Sequence, residues 1–592
     1  MLRGIFRTKN LDDIMAAAGG PQFSLRRTLG AFNVTLIGIG AIVGAGIFAT
    51  VGTAAAGDAS RPGAGASLML SFVITAVVCA FTALCYAEFA SMVPISGSAY
   101  TYSYATLGEF VAWIIGWDLI IEYAVGNIAV AISWAEYFAK LMRNLGVNIP
   151  YWLASNYRIA AALRESDPQL YAERFGDAPQ IFGHPIIFNL LAVGIVALIT
   201  VVLVWGIRES ANFNAVMVGI KILVLVFFVG IALYYVSPAK MASNWEPFQP
   251  NGWKGTFVGA ALVFFAYIGF DAVSTVAEET KNPARDLPIG IIASLIICTI
   301  LYIVVAAVFT GIIPYSELSQ TNASQQAEAL TMALDHVAPK GTTWPSTFVA
   351  FGSVIAHTAV LLVFQLGQPR IFFSMARDGL LPSVFATVHP RFKTPHITTI
   401  LTGIFVGGIA AFASIDEMVN LTNIGTLFAF VLVCAGIPIL RMKDPTRARP
   451  FRVPFGPWLL PLLGVGSCFF LMVYLPPESW WRFIGWLVLG MVIYTSYGYT
   501  HSAIGQKIGR PTRAPIAVKI AALGLLLTAI GLFTIPHDAG VGQLLSEATT
   551  AGEPGHNRAV VGLIMIAIGV VIAIAGSVTG ASQTGNEPGA AG

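Results

Sequence analysis

The chain has 592 residues, of which 56% are hydrophobic and only 11% carry a charge. Soluble proteins carry about 25% charged residues, so this composition excludes an ordinary water-facing surface and favours one that faces lipid. The net charge of +3 gives no sign of nucleic-acid binding, and we expect no nucleic-acid partner. The composition therefore predicts a protein embedded in a bilayer, crossed by helices of about 20 apolar residues each.

The N-terminal residues argue against a cleavable secretory signal, and the cysteines argue against disulfide bonds and a metal site. Residues 1–28 are polar and basic and lack the short apolar core of a secretory signal, so we expect a cytoplasmic N-terminal segment. All five cysteines lie inside apolar runs and none belongs to a Cys-x-x-Cys pair, which favours small buried side chains over disulfides or metal ligands. We expect no metal, no cofactor and no catalytic residue.

Fourteen apolar segments follow one another along the chain. A bilayer offers no water to satisfy backbone groups, so segments this long and apolar must be helices. The predicted segments are 31–56, 66–91, 110–140, 186–206, 213–236, 256–277, 288–313, 347–370, 397–414, 420–440, 458–475, 483–504, 516–535 and 559–578.

The placement of the basic residues predicts the orientation of these spans. With the N-terminus inside, 21 of the 33 Lys and Arg residues fall in the N-terminal segment and the internal loops, 11 fall outside and one lies within a span. Because positive charge accumulates on the cytoplasmic side, we expect a multi-pass protein of the inner membrane with both termini in the cytoplasm. The external loops 143–185 and 314–346 are long enough to form small caps.

Two of the spans are interrupted in the middle of an apolar run. Residues 38–48 read Gly-Ile-Gly-Ala-Ile-Val-Gly-Ala-Gly-Ile-Phe, and residues 264–271 read Phe-Phe-Ala-Tyr-Ile-Gly-Phe-Asp. No strand precedes the glycine-rich stretch, which excludes a dinucleotide-binding loop. Close helix packing through small residues is one interpretation; a helix broken in mid-membrane is the other. The first span starts inside and the sixth starts outside, and two broken helices in opposite-facing halves indicate a transporter site.

A pair of broken helices suits an α-amino acid as ligand. Helix N-termini at the breaks attract a carboxylate, and freed carbonyl groups accept hydrogen bonds from an ammonium group. We therefore predict substrate contacts from the residues around the two breaks, namely Val43, Gly44, Ala45, Gly46, Phe265, Ala266, Tyr267 and Ile268.

Several motifs together resemble the amino acid–polyamine–organocation superfamily, and within it the cationic amino acid transporter family with its bacterial-type amino acid permeases. The resemblance covers about residues 10–505 and is specific because the motifs occur jointly. Besides the first glycine-rich stretch, it is carried by Arg27–Phe32, Tyr86–Ala90, Pro94–Tyr100, Gly269–Asp271, Glu278–Pro283 and Met375–Pro382.

The resemblance implies an all-α membrane fold of two inverted repeats of five helices, in which helices 1 and 6 are broken. Fourteen spans, instead of the superfamily's commoner twelve, also resemble this family. The expected organisation is an N-terminal segment 1–28, a transport core 29–442 with repeats near 29–236 and 256–442, four additional helices within 443–578, and a disordered tail 579–592.

Lys221 lies deep in the fifth predicted span, where a lysine costs roughly 2.5–3.5 kcal/mol on insertion scales. Snorkelling would have to cover about eight residues, some 12 Å of helical rise, to the cytoplasmic end. By resemblance to proton-coupled relatives, the amine occupies the place where sodium-coupled relatives bind an ion. Burial favours the neutral amine, so we expect Lys221 to gain and lose a proton in each cycle.

Asp118, Glu122 and Asp271 are acidic residues within predicted spans. Asp118 and Glu122 are one helical turn apart and share a face, and a buried hydrogen bond explains either as well as a functional role does. Glu122 matches a family position near the substrate chamber, and we assign it to substrate binding. Asp271 is either a cap for the broken sixth helix or part of the proton path, and we group it with Lys221 for proton coupling.

Three further polar features have open interpretations. His357, in the eighth span, is a proton relay or, as is more common for a lone buried histidine, a satisfied packing residue. Asn423, Gly425 and Thr426 either line the pathway or mediate polar helix packing. Residues 368–382 form a cytoplasmic gate or a structural clasp.

The sequence thus predicts a secondary active importer of amino acids driven by proton symport, with the bilayer, protons and the amino acid as partners. The apolar residues at the breaks favour small neutral or broad-range L-amino acids; a cationic amino acid transporter, with Glu122 facing the side chain, or an exchanger is the alternative. A nutrient sensor on a transporter fold is a further alternative. No hydrolase, zinc-protease or phosphate-loop motif supports an enzyme. The oligomeric state stays open, and a monomer is compatible with the sequence.

Overall fold

The computed structural model describes residues 7–9, 27–58, 61–92, 98–206, 211–321, 323–507, 516–534, 546, 549 and 556–584. Most of the predicted N-terminal segment, residues 94–97 of one family motif and the end of the predicted tail therefore lie outside the described residues. The last helix continues to Thr584, past the predicted start of the tail at residue 579.

The described elements are almost all helical. One small hairpin pairs β1 (Gln180–Ile181) with β2 (His184–Pro185) in antiparallel register. The α-helices are α1 Ala31–Ile42, α2 Val51–Ala56, α3 Leu68–Met92, α4 Ser98–Thr106, α5 Glu109–Ile120, α6 Gly126–Asn144, α7 Tyr151–Ala154, α8 Tyr157–Ser166, α9 Pro168–Phe175, α10 Leu190–Trp205, α11 Ala211–Tyr235, α12 Pro238–Asn244, α13 Gly252–Val263, α14 Pro283–Ile312, α15 Tyr315–Leu318, α16 Ala323–Ala327, α17 Ala329–Val337, α18 Trp344–Arg377, α19 His396–Ala410, α20 Ile415–Lys443, α21 Leu459–Val473, α22 Pro477–Ile493, α23 Tyr499–His501, α24 Ala503–Lys507, α25 Ile516–Thr534 and α26 His556–Thr584. Short π- and 3₁₀-helices are Gly46–Thr50, Gly65–Ser67, Ile121–Val125, Phe264–Tyr267, Asp271–Glu279, Ser383–Ala386 and Tyr494–Gly498.

Many helices of the described chain are long enough to cross a membrane. Eight helical stretches are long and apolar enough to cross a bilayer, and two bent helix pairs raise the number to ten if each pair is one span. Three shorter apolar helices, α10, α19 and most of α25, add to these. Each of the fourteen predicted segments contains a helix, which confirms a multi-pass architecture. The number of crossings stays a prediction, because the second bent pair turns by 118° at its break.

The helices form a buried centre and a lipid-facing periphery. In the most apolar stretch of 109–144 and of 252–274, 94% of the residues are buried, against 17% in 557–575. The ionisable residues Glu122, Lys221 and Asp271 lie in the buried centre. A bilayer penalises exposed charge, and this arrangement keeps these three predicted site residues inside the bundle.

The two interrupted spans run antiparallel through that centre. At one end, Leu29 and Thr280 form an isolated β-bridge, so the start of the first interrupted span meets the end of the second. At the other end, Asn251 Nδ2 donates to the Gly63 carbonyl over 2.9 Å. These contacts confirm the opposite directions that the sequence predicted for the two spans.

The helices after residue 443 are joined to the core through tryptophans of α5. Trp113 Nε1 donates to the Gly490 carbonyl over 3.0 Å. Trp117 Nε1 donates to the Trp486 carbonyl over 2.8 Å, and Trp486 Nε1 donates back to the Trp117 carbonyl over 3.2 Å. The rings of Trp117 and Trp486 stack with centroids 4.5 Å apart. This reciprocal pair fixes α22 against α5.

Candidate substrate and proton site

The first interrupted span is a broken helix. The helix α1 ends at Ile42, and Val43 has an extended backbone conformation before a π-helix begins at Gly46. The two halves are bent by 41°. Since a helix leaves the N–H groups of its first turn and the carbonyls of its last turn without partners inside the helix, the break presents both kinds of group at one depth.

The second interrupted span breaks in a corresponding way. The helix α13 ends at Val263, and a short 3₁₀-helix follows. Ile268 then adopts an extended ψ of 132°, Gly269 has a φ of +120°, and a new 3₁₀-helix begins at Asp271. A positive φ of this size favours glycine, because other residues clash there. The sequence prediction of two broken helices is therefore confirmed.

The two breaks touch each other through their backbones. A Cβ on Gly46 would overlap the Cα of Ala266. A Cβ on Gly269 would lie 2.8 Å from the carbonyl carbon and oxygen of Ala41. Only glycine allows backbones to approach this closely. The glycine-rich stretch therefore shows both features that its sequence suggested: the helix is broken, and its small residues allow close packing against the second interrupted span.

Side chains from neighbouring spans satisfy the carbonyls that the breaks release. At the first break, Lys221 Nζ donates to the Gly40 carbonyl over 2.6 Å, and the Tyr302 hydroxyl donates to the Ile42 carbonyl over 2.9 Å. At the second break, Asn423 Nδ2 donates to the carbonyls of Ala261 and Leu262 over 2.8 and 3.2 Å. Each broken end is thus capped from outside its own helix.

Lys221 is a fully buried amine without a counter-ion. Its side chain lies on α11 with no solvent exposure, and within the described parts of the chain it forms no ion pair and has Gly40 as its one hydrogen-bond acceptor. Snorkelling to the cytoplasmic end is therefore wrong for this conformation. The C-terminal end of α1 carries a partial negative charge of about half an electron, and this charge is the main electrostatic support that an ammonium group finds here.

Glu122 and Asp271 form a second polar centre. Glu122 lies on the π-helix Ile121–Val125, and its carboxyl group is close enough to that of Asp271 for the two to interact directly. Asp118 and the phenols of Tyr86 and Tyr123 lie within electrostatic range. Both Asp271 oxygens and Glu122 Oε2 have no partner with hydrogen-bond geometry in the described part of the protein. Two such neighbours cannot both be ionised without strong repulsion, so the pair can retain a proton.

The same observation bears on the alternative role of Asp271 as a helix cap. The backbone N–H groups of Gly269, Asp271 and Ala272 also lie close enough to the Asp271 carboxylate to interact with it. A capping role for Asp271 and a role in the proton path are therefore both compatible with this position.

The residues predicted to contact substrate are buried around the two breaks. Val43, Gly44, Ala45, Gly46, Phe265, Ala266 and Ile268 lie beneath other side chains, so substrate reaches them only after movement. Tyr267 is different, because its hydroxyl donates to the Phe72 carbonyl over 3.0 Å and its ring packs against Tyr302. Its polar end is therefore already engaged in this conformation.

His357 is a satisfied packing residue in this conformation. Its Nδ1 lies 2.7 Å from the Ser353 carbonyl, which requires a proton on Nδ1. Its Nε2 then accepts from the Ser133 hydroxyl over 2.8 Å. Both ring nitrogens are used by the neutral form, so the contacts favour the packing interpretation over a proton relay.

The motif 368–382 makes contacts typical of a clasp. Asp378 Oδ1 accepts from Lys9 Nζ over 2.6 Å, and Asp378 Oδ2 accepts from the Tyr100 hydroxyl over 2.9 Å. The Asp378 carbonyl also accepts from the Ala503 N–H over 3.0 Å. One residue therefore connects the N-terminal segment, α4 and the helices that follow residue 443.

The two predicted external caps fold into short helices and share a cavity of about 510 Å³. Two ion pairs cross from α6 to the second cap, Lys140 with Asp335 and Arg143 with Glu328, the latter at 3.2 Å. Burial raises the pKa of the Glu328 carboxyl above its ordinary value, and Lys140 and Arg143 act in the opposite direction. The second cap is thus ion-paired to α6 on the side predicted to be external.

Sequence reasoning missed some contacts of the first broken span. Tyr302 and Tyr137 cap carbonyls of the first broken span, Tyr137 through a 2.6 Å hydrogen bond to the Phe48 carbonyl. A tyrosine inside an apolar span was the available signal, because a buried hydroxyl needs a partner. The proximity of Glu122 to Asp271 had no such signal.

Comparison with known proteins places the chain in one family. The family described as "Amino acid permease" matches residues 29–494. The chain is 43% identical over 507 residues to the "Branched-chain amino acid permease BcaP" of Bacillus subtilis (strain 168), covering 86% of this chain and 100% of the relative. It is 41% identical to the "Methylthioribose transporter" of the same organism, covering 85% and 100% of the two chains.

The chain is also similar to a plant transporter. The chain is 34% identical over 446 residues to the "Cationic amino acid transporter 4, vacuolar" of Arabidopsis thaliana, covering 75% of this chain and 68% of the relative. The matched region contains both broken helices, Lys221, Glu122 and Asp271. The chain belongs to the amino acid permease family of the amino acid–polyamine–organocation superfamily and is a multi-pass membrane transporter, not an enzyme.

Proposed function

We propose that this permease imports small neutral or broad-range L-amino acids across the cytoplasmic membrane by proton symport. Its transport core is residues 29–442, arranged as two inverted repeats of five helices, and fourteen helices cross the membrane in all. Substrate binds at the two breaks, where N–H groups face its carboxylate and carbonyl groups face its ammonium.

The contact between Lys221 and the Gly40 carbonyl carries the proposal of proton coupling. An ammonium group without a counter-ion is held at a broken helix by the carbonyl end of α1. If α1 moves when substrate binds, the ammonium loses this support, and burial then favours release of its proton. Lys221 thereby links the proton to the same backbone that binds the substrate.

The second polar centre supports a path for that proton. Glu122 and Asp271 have unused oxygens near the inner half of the second broken span, so they can accept a proton without first breaking a hydrogen bond. Glu122 also borders the substrate chamber and keeps the cationic alternative open, because a carboxylate would pair with an arginine or lysine side chain.

The choice of substrate class rests on the apolar surroundings of the breaks. Ala45, Phe265 and Ile268 offer no charge to a substrate side chain. The name of the Bacillus branched-chain permease agrees with a neutral substrate, whereas the names of the methylthioribose and cationic transporters favour other ligands. A test must therefore include all of these chemistries.

The experiment is uptake of radiolabelled leucine, alanine, arginine and methylthioribose into proteoliposomes with an inward proton gradient, an inward sodium gradient or none. Wild type and Lys221→Ala are compared at equal protein content. We expect accumulation of a neutral amino acid that needs the proton gradient and that Lys221→Ala abolishes.

Other outcomes correct the proposal in defined ways. Accumulation driven by sodium, or unchanged in Lys221→Ala, contradicts the role of the lysine. Preferential uptake of arginine replaces the neutral substrate class with the cationic one. Exchange without accumulation replaces symport with the exchanger, and binding without any flux supports a sensor.

A further inference from the structure

A groove of about 550 Å³ lies on the outside of the bundle at the base of α14. One wall is about the first four turns of α14, including Pro288, Ile289 and Ala293, and the other includes Phe451 from the loop after α20. The groove begins just after the Leu29–Thr280 bridge, at the end of the bundle that the positive-inside pattern predicts to be cytoplasmic. It lies outside the substrate site.

The lining combines apolar side chains with one cation. Arg285 is the charged member of the lining; it is exposed and forms no ion pair with any described residue. The neighbouring Asp286 is buried and lies 3.4 Å from the Asn282 N–H. Lys281 and Arg452, close in sequence to the two walls, are also exposed and unpaired among the described residues. The mouth of the groove is therefore positively charged.

The length of the groove matches one leaflet of a bilayer. Arg285 and Ile296 both line it and are eleven positions apart on α14, which corresponds to about 16 Å of helical rise. Half of a hydrocarbon core is about 15 Å thick. A phosphate at Arg285 would therefore place an acyl chain along the apolar wall down to the middle of the bilayer.

We propose that this groove binds an anionic glycerophospholipid of the inner leaflet. Its phosphate pairs with Arg285, and one acyl chain packs between Ile289, Ile296 and Phe451. A bound lipid would lie between α14, which follows the second broken span, and the loop whose Phe451 N–H donates to Ser91 Oγ of α3 over 3.3 Å. Phosphatidylglycerol is the probe for this proposal, and phosphatidylcholine is its uncharged counterpart.

The experiment is native mass spectrometry of the purified chain with equal amounts of the two lipids. Wild type should retain phosphatidylglycerol in preference to phosphatidylcholine, and Arg285→Gln should lower that preference about tenfold, as expected for the loss of one charge-assisted contact. Lys240→Gln is the matched control, since Lys240 is an exposed cation on α12 at the opposite end, and should change nothing.

A second variant tests the apolar part of the groove. Ala293→Trp fills the space for the acyl chain and leaves Arg285 in place, so it should reduce retention of both lipids. If that protein is not monodisperse, Ile296→Ser, at a position that is 54% exposed, replaces it. Equal preference in wild type and Arg285→Gln overturns the proposal, as does unchanged retention in the groove-filling variant. Co-purification of an apolar polypeptide in place of lipid also overturns it.

Discussion

The two breaks of this permease expose backbone carbonyl groups in the same way, but the side chains that donate to these carbonyls differ in chemistry. Each leaves carbonyl groups at the end of a half-helix, and each receives a donor from another span, Lys221 of α11 at the first break and Asn423 of α20 at the second. These spans are the fifth and tenth predicted segments, in corresponding places of the two proposed repeats. An amide suffices to satisfy carbonyls, so the charge at the first break exceeds what capping requires. The comparison therefore supports our proposal that the cap itself exchanges a proton only at the first break, whereas the proton-holding groups proposed for the second broken span, Glu122 and Asp271, are separate from its Asn423 cap.

The largest effect is expected when the first break is given the chemistry of the second. Lys221→Gln retains an amide donor near Gly40 but has no proton to exchange. We expect accumulation to fall to the level found without a proton gradient, while exchange of labelled for unlabelled substrate continues. Uptake and counterflow in the same proteoliposomes check this. Accumulation equal to wild type would contradict the distinction between the two breaks.

The next largest effect concerns the backbone contact that joins the breaks. Gly46→Ala places a methyl group against the Cα of Ala266, and overpacking of this kind costs about 1–3 kcal/mol. We expect uptake to fall about ten- to a hundredfold. Gly230→Ala on α11 is the matched control, because a Cβ there meets nothing within 4 Å, and it should retain full activity. Equal uptake by both variants would exclude a close contact between the breaks.

The reverse experiment removes the cap at the second break. Asn423→Leu leaves the carbonyls of Ala261 and Leu262 without their donor, at a cost of about 1–3 kcal/mol in stability. We expect a lower midpoint of thermal unfolding and slower uptake, with the dependence on the proton gradient retained. Loss of gradient dependence with unchanged stability would show that Asn423 does more than cap the helix.

A smaller effect is expected from the coupling between Glu122 and Asp271. Because the two carboxyl groups are neighbours, we expect the effects of Glu122→Gln and Asp271→Asn on uptake to be non-additive by about 1 kcal/mol, or fivefold. A double-mutant cycle across a series of pH values measures this term. If the effects multiply independently at every pH, the two groups do not act as one proton-holding pair.

The smallest effect is expected at His357. His357→Asn removes a neutral ring whose two nitrogens are already satisfied by Ser353 and Ser133. We expect a loss of about 1 kcal/mol in stability and an unchanged dependence of uptake on pH. A shifted pH profile would return this histidine to the proton path.

Local chemistry explains which parts of this site could be predicted from sequence. The glycines of both breaks interrupt apolar runs, and Lys221 is a charge where membranes exclude charge, so these features stand out without a structure. The partner of Lys221 was not predictable, because Gly40 is 181 positions away in the chain. The contact between Glu122 and Asp271 was not predictable either. It depends on how two helices are rotated against each other, and the pattern of apolar residues in the two spans does not reveal that rotation.

The tryptophan pair between α5 and α22 has a consequence for attempts to shorten the protein. A chain cut after Lys443 would still contain every residue of the proposed transport core, but Trp113 and Trp117 would lose the carbonyls to which they donate. Glu109 would also lose the Tyr494 hydroxyl that now donates to it over 2.7 Å. The two indole N–H groups would then face hydrocarbon, where an unsatisfied donor is costly. A smaller working permease therefore requires apolar replacements on α5 before any helix is removed. The contacts on the outer face of α5, and not the end of the second proposed repeat, decide where the chain can be shortened.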